Sequence, residues 1–167
     1  MRLRYVIIVV AVLAGAACFV IARDRAKQRA DLLGCGNYMV AICFAGRVWA
    51  NDNGDRFPPD LLSMSNEVIS PKILICPGDR SRKPSASWAS FTPEQSSFEM
   101  VTPSLRDGDT NAVFLRCKIH GSVGYADGSV FVNGKRHHKS SAAYQSGCTE
   151  RREGALVVFE ASPARRR

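Results

Sequence analysis

Residues 23–54 read RDRAKQRADLLGCGNYMVAICFAGRVWANDNG, and the periodicity of this stretch decides the architecture. Leu32, Cys35, Met39, Ile42 and Trp49 recur at spacings near three and four, with polar residues between them. That spacing places them on one buried stripe of an amphipathic helix. Gly34, Gly36 and Gly46 weaken the helical preference, each by about 1 kcal/mol relative to alanine. Asn51-Asp52-Asn53-Gly54 then ends the helix, and Pro58-Pro59 prevents its return.

Upstream the pattern stays helical but loses its polar face. Tyr5 to Ala22 is a run of eighteen residues without a charge. As a helix it is about 27 Å long, close to the roughly 30 Å of a bilayer's hydrocarbon. Arg2 and Arg4 flank it on one side, and Arg23, Arg25, Lys27 and Arg29 on the other. One long helix from about Tyr5 to Ala50 is therefore expected, apolar in its first half and amphipathic in its second. The apolar half reads as a retained membrane anchor. A cleaved signal peptide is the second reading, although its apolar region is normally 7–15 residues. A lipoprotein signal ending in Leu13-Ala14-Gly15-Ala16-Ala17-Cys18, with Cys18 lipidated, is the third. Each takes the rest of the chain across a membrane. Basic residues on both flanks leave the orientation unset by the positive-inside rule. Five cysteines lie beyond the apolar run, at positions 35, 43, 76, 117 and 148. In an oxidising compartment some would pair. The expected location is the inner membrane, single-pass, with the C-terminal domain periplasmic or extracellular.

Downstream of the helix the chain is loop-rich. PKILICPGD gives a short strand at Lys72 to Cys76, bounded by Pro71 and Pro77. The polar stretch Ser81 to Asp109 holds one short strand around Phe98 to Val101. NAVFLRCKI, SVGYA and SVFVN are strand-like, and Asp127-Gly128 between the last two is the dipeptide favoured by a two-residue type I′ hairpin. Asn133-Gly134 is a second turn signal. The sheet is the partner for the helix's buried stripe. The fold class is thus α+β, a long N-terminal helix packed on a small antiparallel sheet. Its segments are a membrane anchor at 1–22, an α+β domain at 23–133, and a basic, partly disordered extension at 134–167. Within that extension ALVVFEA can form one more strand, and SPARRR reads as a tail.

The net charge of +8 gathers beside the apolar run and in the last third of the chain. No stripe of interleaved aromatic and basic residues accompanies it, which argues against a nucleic-acid partner. No small-molecule substrate is evident either.

The order of these features resembles a known family. The apolar helix is followed by the basic RDRAKQRADLLGC, then YMVAICFAGRVWANDNGDRFPPDL, LICPGD, SSFEMVTPS and VFLRCKIHGSVGYADGSV. From about Arg23 to Val130 this is similar to the type II secretion pseudopilin-like, prepilin-type proteins of Planctomycetes and Verrucomicrobia. The matching signature positions are Asn51, Asp52, Gly54, Pro58, Pro77, Asp79, His120, Asp127 and Gly128. The resemblance implies a pilin-like fold and a non-enzymatic structural role in a type II secretion or type IV pilus-like system. It also implies membrane lipid and other pilin-like subunits as partners, met through the N-terminal helix. Gly15 among Ala14, Ala16 and Ala17 would allow close helix approach. The start departs from the family's, because Leu3-Arg4-Tyr5-Val6-Ile7 lacks a glycine before an aromatic and the apolar run lacks a glutamate. The alternative is therefore a tethered or lipoprotein binding module that does not assemble.

Three readings remain for the cysteine-rich signature. The first is a structural disulfide, Cys76–Cys117, between adjacent strands. The second is a metal site built from Cys76, Cys117 and His120, which leaves the fourth ligand to Asp79 or Asp127. The third is a thiol enzyme using Cys117, His120 and Asp127. Residues three apart in a strand face opposite ways, so Cys117 and His120 meet only if the strand ends or bulges near Ile119. No cofactor is expected. Calcium is the exception the resemblance allows, at Asp107, Asp109 and Asn111, where turn chemistry is the competing reading. His137-His138 reads as a solvated turn.

Overall fold

The computed structural model describes residues 2–103, 105–106, 109, 111–132, 135–138, 148–153 and 156–161. Helix α1, Arg2–Asp52, is a single uninterrupted element of 51 residues. At 1.5 Å per residue it is about 75 Å long, far more than one small domain can cover. Its two halves differ in environment as their sequences differ. Every described side chain from Arg4 to Ala30 is exposed, including Ile7, Val10 and Phe19. This is a helix long and apolar enough to cross a membrane. Burial begins in the next turns. Cys35, Met39, Ile42 and Ala50 are fully buried, and Leu32 and Trp49 pack at the margin of the core. The expected stripe is the one the protein uses.

The helix ends where the Asx-rich run begins. The amides of Asn53 and Asp55 both donate to Ala50 O, at 3.0 and 2.9 Å. Gly54 and Asp55 follow with φ of 67° and 59°, left-handed values that reverse the chain. Asn53 Nδ2 donates to Trp49 O at 2.8 Å and satisfies one of the last helical carbonyls.

Five strands form one antiparallel sheet in the order β1-β2-β3-β4-β5: β1 Phe98–Met100, β2 Val113–Cys117, β3 Val123–Tyr125, β4 Val130–Val132 and β5 Lys135–His138. Helix α1 packs across β2, β3 and β4. Its approach is close because two glycines face the contact. A Cβ at Gly46 would come within 2.9 Å of the Phe114 ring, and one at Gly124 within 2.5 Å of Cys43 Sγ. Gly46, one of the glycines that weaken the helical preference, thus helps to admit the sheet. Phe57 and Phe114 meet edge to face at 4.8 Å beneath Gly46. Strands β6 Cys148–Glu153 and β7 Leu156–Ala161 form a separate two-stranded sheet.

Three local expectations change. Residues 71–74 form a 3₁₀ turn, Pro71–Leu74, instead of a strand at Lys72 to Cys76. Proline at the first position fixes φ for the turn, and Ser70 Oγ accepts from the Lys72 amide. The β3–β4 connection is not a two-residue type I′ turn. Gly128 has a φ of 84°, whereas Asp127 is not in the positive-φ region that type I′ demands. The Gly128 amide donates to Tyr125 O and the Tyr125 amide to Ser129 O, both at 2.9 Å. These bonds close a three-residue loop, with a type I turn followed by a left-handed glycine. Finally, the stretch 134–167 contributes strands β5, β6 and β7, of which only the last had a counterpart in the sequence reading.

Candidate functional site

Three segments distant in sequence converge at one end of the helix–sheet contact. Cys35 comes from the first buried turn of α1. Cys76 follows the 3₁₀ turn and opens Cys76-Pro77-Gly78-Asp79. There the Asp79 amide donates to Cys76 O at 2.8 Å, which folds the four residues into a tight turn. Cys117 is the last residue of β2. The strand stops there, as the meeting of Cys117 and His120 requires. The Gly121 amide donates to Cys117 O at 2.9 Å, and Gly121 takes a φ of 64°. The turn brings His120 back over the sulfur three residues before it.

The resulting cluster is Cys35, Cys76, Cys117 and His120. One ligand-type atom from each lies within 4.8 Å of all the others. His120 Nδ1 is 3.2 Å from Cys76 Sγ and 4.0 Å from Cys117 Sγ. The three cysteines are at most 1% exposed, and His120 is half-buried. Gly78 makes room for the imidazole, because a Cβ there would stand 2.7 Å from His120 Cε1. Gly34 does the same for the Cys76-Pro77 turn, where a Cβ would stand 3.1 Å from Pro77 Cγ.

The electrostatics favour a thiolate at one position. A hydrogen bond from the Cys35 thiol brings Cys117 down to about 5, assisted by the backbone amides of His120 and Ile119 and opposed by burial. The His120 amide lies 3.4 Å from Cys117 Sγ. Burial pushes Cys76 up to about 11, against a stabilising hydrogen bond from the Gly78 amide. Both turns therefore aim backbone N–H groups at sulfur.

Asp79 is the anchor of the Cys76 turn rather than a member of the cluster. Burial opposes its ionisation, but hydrogen bonds from Ser81, Ser97 and Arg82 outweigh this and hold its carboxyl far below the usual range. Its Oδ1 accepts from the Ser81 amide and hydroxyl at 2.9 and 2.6 Å. Its Oδ2 accepts from Arg82 at 2.6 Å and from Ser97 Oγ at 2.7 Å. Ser97 O in turn accepts from the Lys118 amide at 2.9 Å, so both cysteine turns are tied to the segment leading into β1.

The sequence-derived candidates distribute as follows. Cys76 and Cys117 are neighbours, but as free thiols rather than a disulfide. His120 joins them. Neither Asp79 nor Asp127 supplies the fourth ligand. Asp127 belongs to the β3–β4 loop, where its Oδ1 accepts from the Ser129 amide and hydroxyl at 2.7 and 2.6 Å. The fourth member is Cys35, which the sequence reading used only as a core position. Its signal was present as a third cysteine on the helix stripe that faces the sheet. Asn51, Asp52 and Gly54 serve the helix end, and Pro58 is buried in the core. Of the calcium candidates, Asp107 lies outside the described residues. Asp109 performs turn chemistry, its Oδ2 accepting from the Arg106 amide at 3.0 Å. Asn111 sits in the turn leading to β2.

Compared with known proteins, the chain matches no family model, no curated protein and no solved structure.

Proposed function

We propose that the chain is a membrane-anchored, non-enzymatic structural protein of pseudopilin-like design, working in a type II secretion or type IV pilus-like system. One observation carries this reading. A single helix is exposed and apolar along its first half and forms the spine of a small domain along its second. That division of labour suits a subunit whose helix sits in lipid, or against neighbouring helices, while the domain stands outside the inner membrane on the periplasmic or extracellular side. The far face of the second half also keeps large apolar side chains in solvent. Leu33 is 55% exposed, Phe44 66% and Val48 39%. A neighbouring pilin-like subunit would cover them. The cysteine-histidine cluster fits a structural role better than a catalytic one, because its sulfurs are closed to a substrate and no carboxylate orients His120 among the described residues.

A second reading is a tethered binding module that never assembles. The missing glycine and glutamate at the start of the apolar run favour it. The two separate by photo-crosslinking in the native membrane, with a benzophenone amino acid in place of Phe44. Assembly predicts adducts with a second copy or another pilin-like subunit, lost when Tyr5 to Ala22 is replaced by a cleavable signal. A probe that captures no such subunit under producing conditions contradicts assembly.

A further inference from the structure

We infer that Cys35, Cys76, Cys117 and His120 bind one zinc ion through three Sγ atoms and Nδ1, forming a structural site that locks the helix to the sheet. The inference is independent of whether the chain assembles. The donor set is three soft sulfurs and one imidazole, a combination suited to four-coordinate zinc. The spacing fits as well. With zinc–sulfur bonds of about 2.3 Å and a zinc–nitrogen bond of about 2.0 Å, tetrahedral ligand atoms stand roughly 3.4 to 3.8 Å apart. The four atoms here lie within 4.8 Å of one another, and the two sulfur–nitrogen distances of 3.2 and 4.0 Å bracket that value. The widest separation must close by about 1 Å, roughly half an ångström at each atom, which side-chain rotation supplies.

A disulfide explains less. A Cys76–Cys117 bond would use two of three converging sulfurs and give no role to Cys35 or to the imidazole. Zinc employs all four. The backbone strengthens the case, because amides of Gly78, Ile119 and His120 point at Cys76 and Cys117. Such N–H groups offset the negative charge that thiolates keep when they ligate a metal. The two turns that deliver them, Cys-Pro-Gly-Asp and Cys-Lys-Ile-His, supply three of the four ligands. The closure of the site argues for structure over catalysis, since catalytic zinc keeps an open position. Need is evident too. The domain is loop-rich between α1 and β1, with short strands, and small folds of this kind gain much from a metal staple. Binding would expel the remaining thiol protons, so affinity should weaken in acid.

The test uses the full chain in detergent, purified with a reductant and equilibrated with zinc before removal of loosely held metal. About one zinc per chain should remain, released by a mercurial reagent as three thiols react. Cys35→Ser, Cys117→Ser and His120→Ala should each lower retention at least tenfold, whereas Cys18→Ser should not. Should those variants fail to fold, cobalt loading of the unaltered chain decides. Tetrahedral visible bands with thiolate-to-cobalt charge transfer in the near ultraviolet support the site. Their absence, retention below about a tenth of an equivalent, or a Cys76–Cys117 disulfide in a non-reducing peptide map overturns it.

Discussion

Substituting Gly46 by alanine sets two known effects against each other, and the structure says which wins. In an exposed helix the change stabilises by about 1 kcal/mol, because glycine is the weaker helix former. Here the added methyl would stand 2.9 and 3.0 Å from Phe114 Cε1 and Cζ, and 3.2 Å from Phe57 Cε1. Neither ring can retreat. Phe114 is 0% exposed, Phe57 1%, and the two are already in edge-to-face contact. Overpacking of this kind costs about 1–3 kcal/mol. The balance is a net loss of about 1 kcal/mol. With a urea slope near 2 kcal/mol/M, the midpoint should fall by roughly 0.5 M. Urea unfolding of the full chain in detergent, followed by the fluorescence of Trp49 and Trp88, reads this directly. Gly15→Ala is the control, since nothing lies within 4 Å of a Cβ there. A midpoint for Gly46→Ala that rises by a similar amount would mean that α1 does not lie against Phe114.

Other outcomes follow from the same geometry. Asp79→Asn removes the charge that Arg82 and two serines surround, and should cost about 2–4 kcal/mol in the same unfolding assay. Because the folded pKa of Asp79 is depressed, its contribution is complete above roughly pH 4 and is lost as the pH falls further. The unaltered chain should thus lose stability below pH 4 more steeply than Asp79→Asn, and parallel acid profiles would contradict this. Gly78→Ala pushes the imidazole of His120 out of place, since the new Cβ would meet its Cε1 and Nε2 at 2.7 and 2.8 Å. Zinc affinity in competition with a chromogenic chelator should drop about 10–100-fold, the range seen when a ligand's support is disturbed. Chelation of the unaltered chain should lower its urea midpoint, while Cys35→Ser should be insensitive to chelator.

Much of this architecture is legible before any coordinates. The stripe through Cys35, Met39 and Ile42 follows from periodicity, because the helix buries one side there. The apolar run, and the strands of 113–132 that are buried almost throughout, are instead legible as continuous apolar stretches bounded by charges or turn signals. The short strand expected around Phe98 to Val101 is β1, Phe98–Met100. What escaped was decided by interactions between segments. Lys72–Cys76 has the composition of a strand, but a proline and a serine cap commit its start to a 3₁₀ turn. Asp127-Gly128 identifies a turn without fixing its length, which depends on whether Asp127 enters the left-handed region. The strands β5 and β6 are highly polar, so periodicity carries little signal there. The cluster was half legible. Cys76, Cys117 and His120 stood out as a set, and the end of β2 was the condition for their meeting. Cys35 was hidden because a buried cysteine at helical spacing looks like any other core residue. Only the packing of α1 on the sheet brings it to the other three.

The central claim is that one continuous helix passes from lipid into the domain core. At 1.5 Å per residue, Phe19 and Trp49 are about 45 Å apart along it. Fluorescence quenching in vesicles made with acyl-brominated lipid measures both ends at once. Phe19→Trp should add an emission that the bromines strongly quench, while Trp49 and Trp88 stay unquenched. An unquenched tryptophan at position 19, or quenching of Trp49 to the same extent, would contradict the account.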